Sequence, residues 1–220
     1  MEDKNSLDAE VGEAPQWDGP HHELYNGKIS GGTITQGCGG YRWAEVNTPL
    51  ECRGKHRIKY RVESIDQRAQ QDILVGVASK QTMIHKKHGN VPSEGCYILE
   101  AYSMGDGVTV HQDSHKVDPY IDFYENPEAE SNSLIEVLVD YTKAHTTVFY
   151  KIDGNFVGGN ATPWGNVVRP EYSQDLVPVA CVTHPKSSLT LVSVEQLIPD
   201  DNNAGDITQG TRFHVRINLI

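Results

Sequence analysis

No stretch of this 220-residue sequence approaches the roughly 18 consecutive apolar residues that a membrane helix needs. The N-terminus reads MEDKNSLDAEVGEAP, with acids where a secretory leader carries basic residues and with no apolar run behind them. Membrane insertion and secretion are therefore not expected, and the chain reads as cytoplasmic or nuclear. Basic charge is also scarce. Nineteen lysines and arginines stand against 30 acids, a formal net charge of -11. A chain of that sign repels a phosphate backbone, so nucleic acid is not an expected partner. The densest basic spot, Lys86 and Lys87 between His85 and His88, reads as a solvated loop. Cysteine is limited to Cys38, Cys52, Cys96 and Cys181. No C-x-x-C pair exists, which removes the spacing of a structural zinc site or a thioredoxin-like redox site. Cys96 in GCYIL and Cys181 in PVACV read as buried free thiols.

Catalytic spacings are missing as well. Ten histidines include no H-E-x-x-H and no i, i+4 pair on a plausible helix. His111 and His115, with Asp113 and Asp118 nearby, have a spacing that could hold a metal in a loop. A polar loop that happens to contain these residues is the simpler reading. Glu136 and Asp140 share a strand face, but four residues of strand separate them by about 13 Å. Paired glycosidase carboxylates stand roughly 5 to 9 Å apart. There is no G-x-S-x-G elbow, phosphate loop or dinucleotide glycine pattern. The expectation is a non-enzymatic chain with no cofactor and no metal.

What the sequence does contain is short strands between turns. Glycine and proline supply 20 and 11 residues, enough for many turns without implying disorder. In HRIKYRVESI, Ile58, Tyr60 and Val62 share one face, and charged residues share the other, the period of a half-buried strand. DILVGVAS reads as an inner strand, with Gly76 marking a close approach of another segment. GCYILEAYSMGDGVTVH reads as two strands around a Gly-Asp-Gly turn. SSLTLVSVEQL alternates imperfectly, as a strand partly covered on both sides would. TRFHVRINLI reads as a last strand, and no amphipathic helix exceeds about two turns. This predicts an all-β sandwich of antiparallel strands. The domain spans 25–220, with a final strand at about 211–220. Before it lies a flexible N-terminal tail, residues 1–24, which holds seven acids and one lysine. Trp17 is the one tail residue expected to pack back on the domain.

The strongest unit is LIEVLVDYTKAHTTVFYKIDGNFVG. Ile135, Val137, Val139 and Tyr141 share a face, a turn follows, and TVFYKI leads into an Asp153-Gly154 turn. Asp140 is placed to cap backbone N–H groups after its strand. This unit, together with GKHRIKYRVES, ILVGVAS and LVPVACVTHPKSSLTLVS, resembles the SPRY (B30.2-like) family in order and spacing over about residues 40–195. Asn132-Ser133 stands where the family usually has Gly-Asp, and Asp153-Gly154 where it has Asn-Gly.

The resemblance implies a bent, concanavalin-like β-sandwich that recognises a peptide or protein through loops at one end. Residues that suit such a patch are exposed aromatics and arginines within a polar rim. The long polar excursions offer Tyr41, Arg42 and Trp43, then Tyr120 and Tyr124, then Trp164, Arg169 and Tyr172. Negative net charge favours a basic partner, steered by Asp118, Asp122, Glu125, Glu128 and Glu130. Two other readings compete. One is a lectin-like sandwich that stacks a sugar on Asn160, Trp164 and Asn166, made less favourable by the lack of a secretion signal. The other is a structural module of a larger assembly.

Overall fold

The computed structural model describes residues 17–18, 28–30, 32–35, 43–46, 49–65, 73–85, 94–101, 108–112, 115–117, 129–159, 163–198 and 214–216. Tyr41, Arg42, Tyr120, Tyr124 and Asn160 lie outside them, as do most of the proposed acidic tail and Asp118, Asp122, Glu125 and Glu128.

Two antiparallel sheets form the molecule, with strands numbered in chain order. The first runs β1 (Trp17–Asp18), β4 (Trp43–Val46), β14 (Leu176–Val182), β6 (Ile73–Ser79), β7 (Cys96–Ala101), β8 (Val108–Gln112), β9 (His115–Val117). The second runs β12 (Asn155–Phe156), β11 (Thr147–Ile152), β10 (Leu134–Asp140), β5 (Lys55–Ser64), β15 (Ser188–Ile198), β3 (Thr33–Thr35), β2 (Lys28–Ser30). β13 (Gly165–Val167) also pairs with β11, and β16 (His214–Arg216) with β15. Among the described residues the only α-helix is α1 (Lys80–His85), which is not long or apolar enough to cross a membrane. The three-residue β16 lies within the segment expected to form the last strand, and Trp17 lies in a two-residue strand paired with β4.

The alternation read from the sequence sets the faces. Ile58, Tyr60 and Val62 of β5 and Ile135, Val137 and Val139 of β10 point between the sheets, where they meet Ile73, Val75 and Val77 of β6. Removing each such side chain from water contributes about 1.5–3 kcal/mol. Tyr60 is fully buried, yet its hydroxyl lies 3.3 Å from the carbonyl oxygen of Val179 and 3.4 Å from that of Gly76, both on the opposite sheet. A buried hydroxyl needs such a partner. Gly76 has the role its position suggested: a Cβ there would run into the Tyr97 carbonyl and come within 3.0 Å of Ile98 Cα.

The first sheet is buried on its outer face too. Trp43, Leu74, Cys96, Ile98, Val179 and Cys181 belong to a second apolar cluster there. Every residue of β6 and β14 is buried as a result, the pattern of strands covered on both sides. Cys96 and Cys181 are buried free thiols, as the sequence suggested, and Cys52 is a free thiol at the surface.

The outer face of the second sheet carries a charged strip on β5, β10 and β15 beside a small apolar cluster of Leu138, Phe149 and Phe156. Lys55, Arg57 and Lys59 of β5 stand between acids of β10 and β15: Lys59 Nζ lies 2.8 Å from Glu195, and Arg57 lies 3.6 Å from Glu136 and 3.9 Å from Glu195. Burial pushes the Glu195 carboxyl up, but hydrogen bonds from Lys59 and Ser193 and the charge of Arg57 outweigh it and hold it below its ordinary value. Cross-strand pairs of opposite charge stabilise a sheet modestly.

Two local features depart from or refine the sequence reading. The imperfect alternation of β15 is not two-sided covering. A register shift between Leu191 and Ser193 inserts an extra residue, so Leu191 pairs with Tyr60 and Val194 with Ile58, both directed inward. Val192, the extra residue, is left exposed. Such a bulge changes the parity of every later side chain. At the start of β10, Asn132 adopts φ 75°, a left-handed conformation that asparagine tolerates and glycine prefers. Asp153 and Gly154 have φ 50° and 82°, which is what a tight two-residue hairpin turn requires. The Asp153 carboxylate then accepts from Ser133 Oγ at 2.8 Å and from the Leu134 N–H at 2.8 Å, tying that turn to the start of β10.

Candidate functional site

At one end of the sandwich β10 finishes, β5 begins, β6 finishes and β14 begins. Four connecting segments meet there: 49–54, 141–146, 168–175, and the pair Glu94–Gly95 beside the start of α1. Backbone hydrogen bonds fasten them. The Leu50 N–H donates to Leu176 O at 2.8 Å, Tyr141 to Gly54 O at 2.9 Å, Val168 to Thr146 O at 2.8 Å, and Ser79 to Gly95 O at 2.8 Å. The segment 168–175 crosses from the edge of the second sheet to the first. Its path is set by the Arg169 N–H, which donates to the buried Tyr97 hydroxyl at 2.9 Å, and by a one-turn 3-10 helix at Pro170–Tyr172. Proline suits the opening of such a turn because it lacks the N–H that would be unsatisfied there.

Side chains add further braces. Asp140 is fully buried, and its Oδ1 accepts from the Thr142 N–H at 2.9 Å and from Thr142 Oγ1 at 2.6 Å. Its Oδ2 lies 3.7 Å from Lys55 Nζ, itself buried. Cys52 Sγ donates to Gln174 O at 3.0 Å, and the Tyr172 hydroxyl donates to Glu94 at 3.1 Å. His56 Nε2 reaches the Glu51 and Arg53 carbonyl oxygens at 2.8 and 3.1 Å, and its ring meets Tyr141 edge-on at 5.7 Å. Burial pulls the His56 imidazole below its ordinary value, with the two carbonyls acting against it. Burial likewise pushes the Tyr141 hydroxyl up, reinforced by Cys52 and Asp175. Both shifts favour the neutral form near pH 7.

Around this braced frame the rim is exposed and mixed in charge. Arg53, Lys143 and Arg169 stand with Glu51, Glu94 and Glu171. Arg53 is paired to Glu51 at 2.8 Å. Glu130, the one described member of the expected acidic steering group, lies at the opposite end, where Ser133 donates to its carbonyl.

The structure brings Arg169 and Tyr172 together at this end, Arg169 exposed and Tyr172 partly buried against the core. The tryptophans go elsewhere. Trp43 is 7% exposed and packs in the outer cluster of the first sheet, so it presents almost no surface. Trp164 packs partly on the main core, and its indole N–H donates to Asn166 Oδ1 at 3.2 Å. Asn166 is only 2% exposed. Neither member of that pair is displayed as a sugar-stacking platform would be. His111 is not in a loop. It lies in β8, buried, with Nε2 2.6 Å from Glu100 on the neighbouring β7. Asp113, Asp118 and the side chain of His115 lie outside what the structure describes. Among the described residues no three His, Cys, Asp or Glu side chains are grouped for a metal.

The rim residues that the sequence pattern does not single out are Arg53, Lys143 and Glu171. Arg53 and Lys143 sit in short turns, and Glu171 sits in the one-turn helix of the late excursion; their convergence depends on strand ends meeting in space.

No protein-family model matches the sequence, and no curated protein matches it. Solved structures do resemble the fold. The SPRY domain of human HERC1 aligns with TM-score 0.51 and 12% identity, over 75% of this chain and 91% of that one. The carbohydrate recognition domain of Emp46p, in a metal-free form, aligns with TM-score 0.51 and 10% identity, over 81% of this chain and 86% of that one. At such identities the likeness is one of architecture. The chain has the bent two-sheet β-sandwich fold of SPRY and concanavalin-like lectin domains.

Proposed function

We propose that this chain is a non-catalytic interaction module that binds a peptide or protein segment at the braced end of the sandwich. The observation that carries the reading is the combination found there: loops from both sheets locked by buried hydrogen bonds, under an exposed rim that includes Arg53, Lys143, Arg169 and Glu171. A rigid frame lowers the entropic cost of ordering a binding surface. Arginine with a neighbouring aromatic, here Arg169 beside Tyr172, is the composition that dominates protein interfaces. The likeness to the HERC1 SPRY domain supports a protein ligand. The likeness to the Emp46p domain supports a glycan instead, but Trp164 and Asn166 are engaged with each other inside the fold. The protein reading is therefore preferred. With both charge signs on the rim, a peptide of mixed charge fits it better than a purely basic one.

A displayed random-peptide library, selected on the whole chain, tests this. The enriched peptide is titrated into isotope-labelled protein. Shifts concentrated at residues 51–54, 142–146 and 169–174, with at least tenfold weaker binding by Arg169→Ala/Glu171→Ala, are expected. Shifts centred on the outer sheet faces, or enrichment only on a glycan array, would overturn the proposal.

A further inference from the structure

We propose that the β13 edge of the second sheet pairs with the same edge of a second copy of this chain, about a two-fold axis at Asn166. β13 joins β11 with Thr147 opposite Val167, Val148 opposite Asn166 and Phe149 opposite Gly165. The Val168 N–H donates to Thr146 O, so the alternation of an antiparallel ladder directs Asn166 toward β11 as well. It turns the main-chain groups of Gly165 and Val167 away, to the open side. Among the described residues, the one hydrogen bond to those outward groups is from Gln112 Nε2 to Val167 O, at a long 3.4 Å.

Edges of this kind are usually blunted by lysine, proline or a bulge. Gly165, Asn166 and Val167 include none of these. The strand is also rigid. Asn166 is buried and accepts from the Trp164 indole, and the Phe149 ring lies over Gly165, where a Cβ would come within 2.6 Å of Cε1. Val167, at 49% exposure, is the most exposed large apolar side chain among the described residues.

These features are complementary to themselves. With Asn166 on the two-fold axis, Gly165 of one copy faces Val167 of the other, and each such pair exchanges two main-chain hydrogen bonds. On the outer face, Val167 abuts the edge of the Phe149 ring that covers the glycine opposite. The contact is isologous, so it closes at a dimer and does not propagate. It is small, which implies weak association with Kd on the order of 0.1–1 mM. Each copy carries a formal charge of -11, so added salt screens the repulsion and tightens the pair. This edge adjoins the end proposed for peptide binding: Arg169 follows Val167 by two residues, and Lys143 Nζ lies 5.4 Å from the Phe149 ring.

Sedimentation equilibrium of the whole chain, with amide exchange at Gly165 and Val167 read at low and high protein concentration, tests the pairing. A monomer–dimer equilibrium that strengthens with salt, slowing of those two amides as protein concentration rises, and a monomeric Val167→Lys variant with unchanged melting temperature are expected. Three results would overturn it. A monomer at every concentration with both amides exchanging fast would leave the edge for a different protein. Full protection at low concentration would mean the chain covers its own edge. A Val167→Lys variant that dimerises like the wild type would place the contact elsewhere.

Discussion

Replacing Asp140 with alanine tests whether the end frame depends on one buried carboxylate. Asp140 is 0% exposed, caps Thr142 through two hydrogen bonds, and faces the Lys55 ammonium at 3.7 Å, with Lys55 itself 5% exposed. Removing one partner of a buried pair costs about 3–5 kcal/mol, because the remaining charge loses its compensation. Loss of the Thr142 cap adds about 1 kcal/mol. Against a domain stability of roughly 5–15 kcal/mol, Asp140→Ala should remove a large share, read as a lower midpoint in urea with an unchanged slope. Lys55→Met in the same background removes the ammonium that has lost Asp140 while keeping an apolar stem. The double variant should therefore be more stable than Asp140→Ala alone, with a coupling of about 1–3 kcal/mol. Strictly additive losses would refute the argument. They would mean that the ammonium finds full compensation without Asp140, and that the carboxylate matters only as a turn cap.

Other outcomes follow from the same packing. Gly76→Ala forces a Cβ against the Tyr97 carbonyl and Ile98 and should cost at least about 3 kcal/mol, seen as a large fall in melting temperature. Tyr60→Phe keeps the ring but loses the long contacts to the opposite sheet, so the loss should be near 1 kcal/mol in urea denaturation. Burial lowers the His56 pKa in the folded chain. Between that lowered value and the unfolded value of about 6.5, the unfolded chain binds more protons, so stability falls as pH drops below about 6.5. Urea midpoints measured from pH 7 to pH 5 should decline, and His56→Gln should flatten that decline; an equal slope in both proteins would exclude His56 as its source.

The elements with strong local periodicity are legible in the sequence alone. β5 and β10 alternate with period two, β11 is rich in β-forming residues, and Asp153-Gly154 is one of the dipeptides a tight two-residue hairpin favours. Gly76 in an apolar strand and Cys96 and Cys181 among apolar neighbours are equally legible, since each depends on its immediate surroundings. The bulge in β15 is only half visible there: the broken alternation is apparent, but its cause is a register shift against Tyr60 and Ile58, residues far away in the chain.

The candidate site is less legible for the same reason. Whether a tryptophan is displayed or buried depends on what lies over its sheet face. The outer face of the first sheet is buried, so Trp43 joins an apolar cluster, while Trp164 is bonded to Asn166. Arg169 and Tyr172 reach the braced end because Tyr97 anchors the crossing segment from 72 residues away in sequence. Local pattern selects strand, turn and inward face, because side-chain alternation is a property of the backbone itself. Which strand ends converge, which face is covered and which edge stays open are set by pairings between distant segments, and those carry no short-range signature.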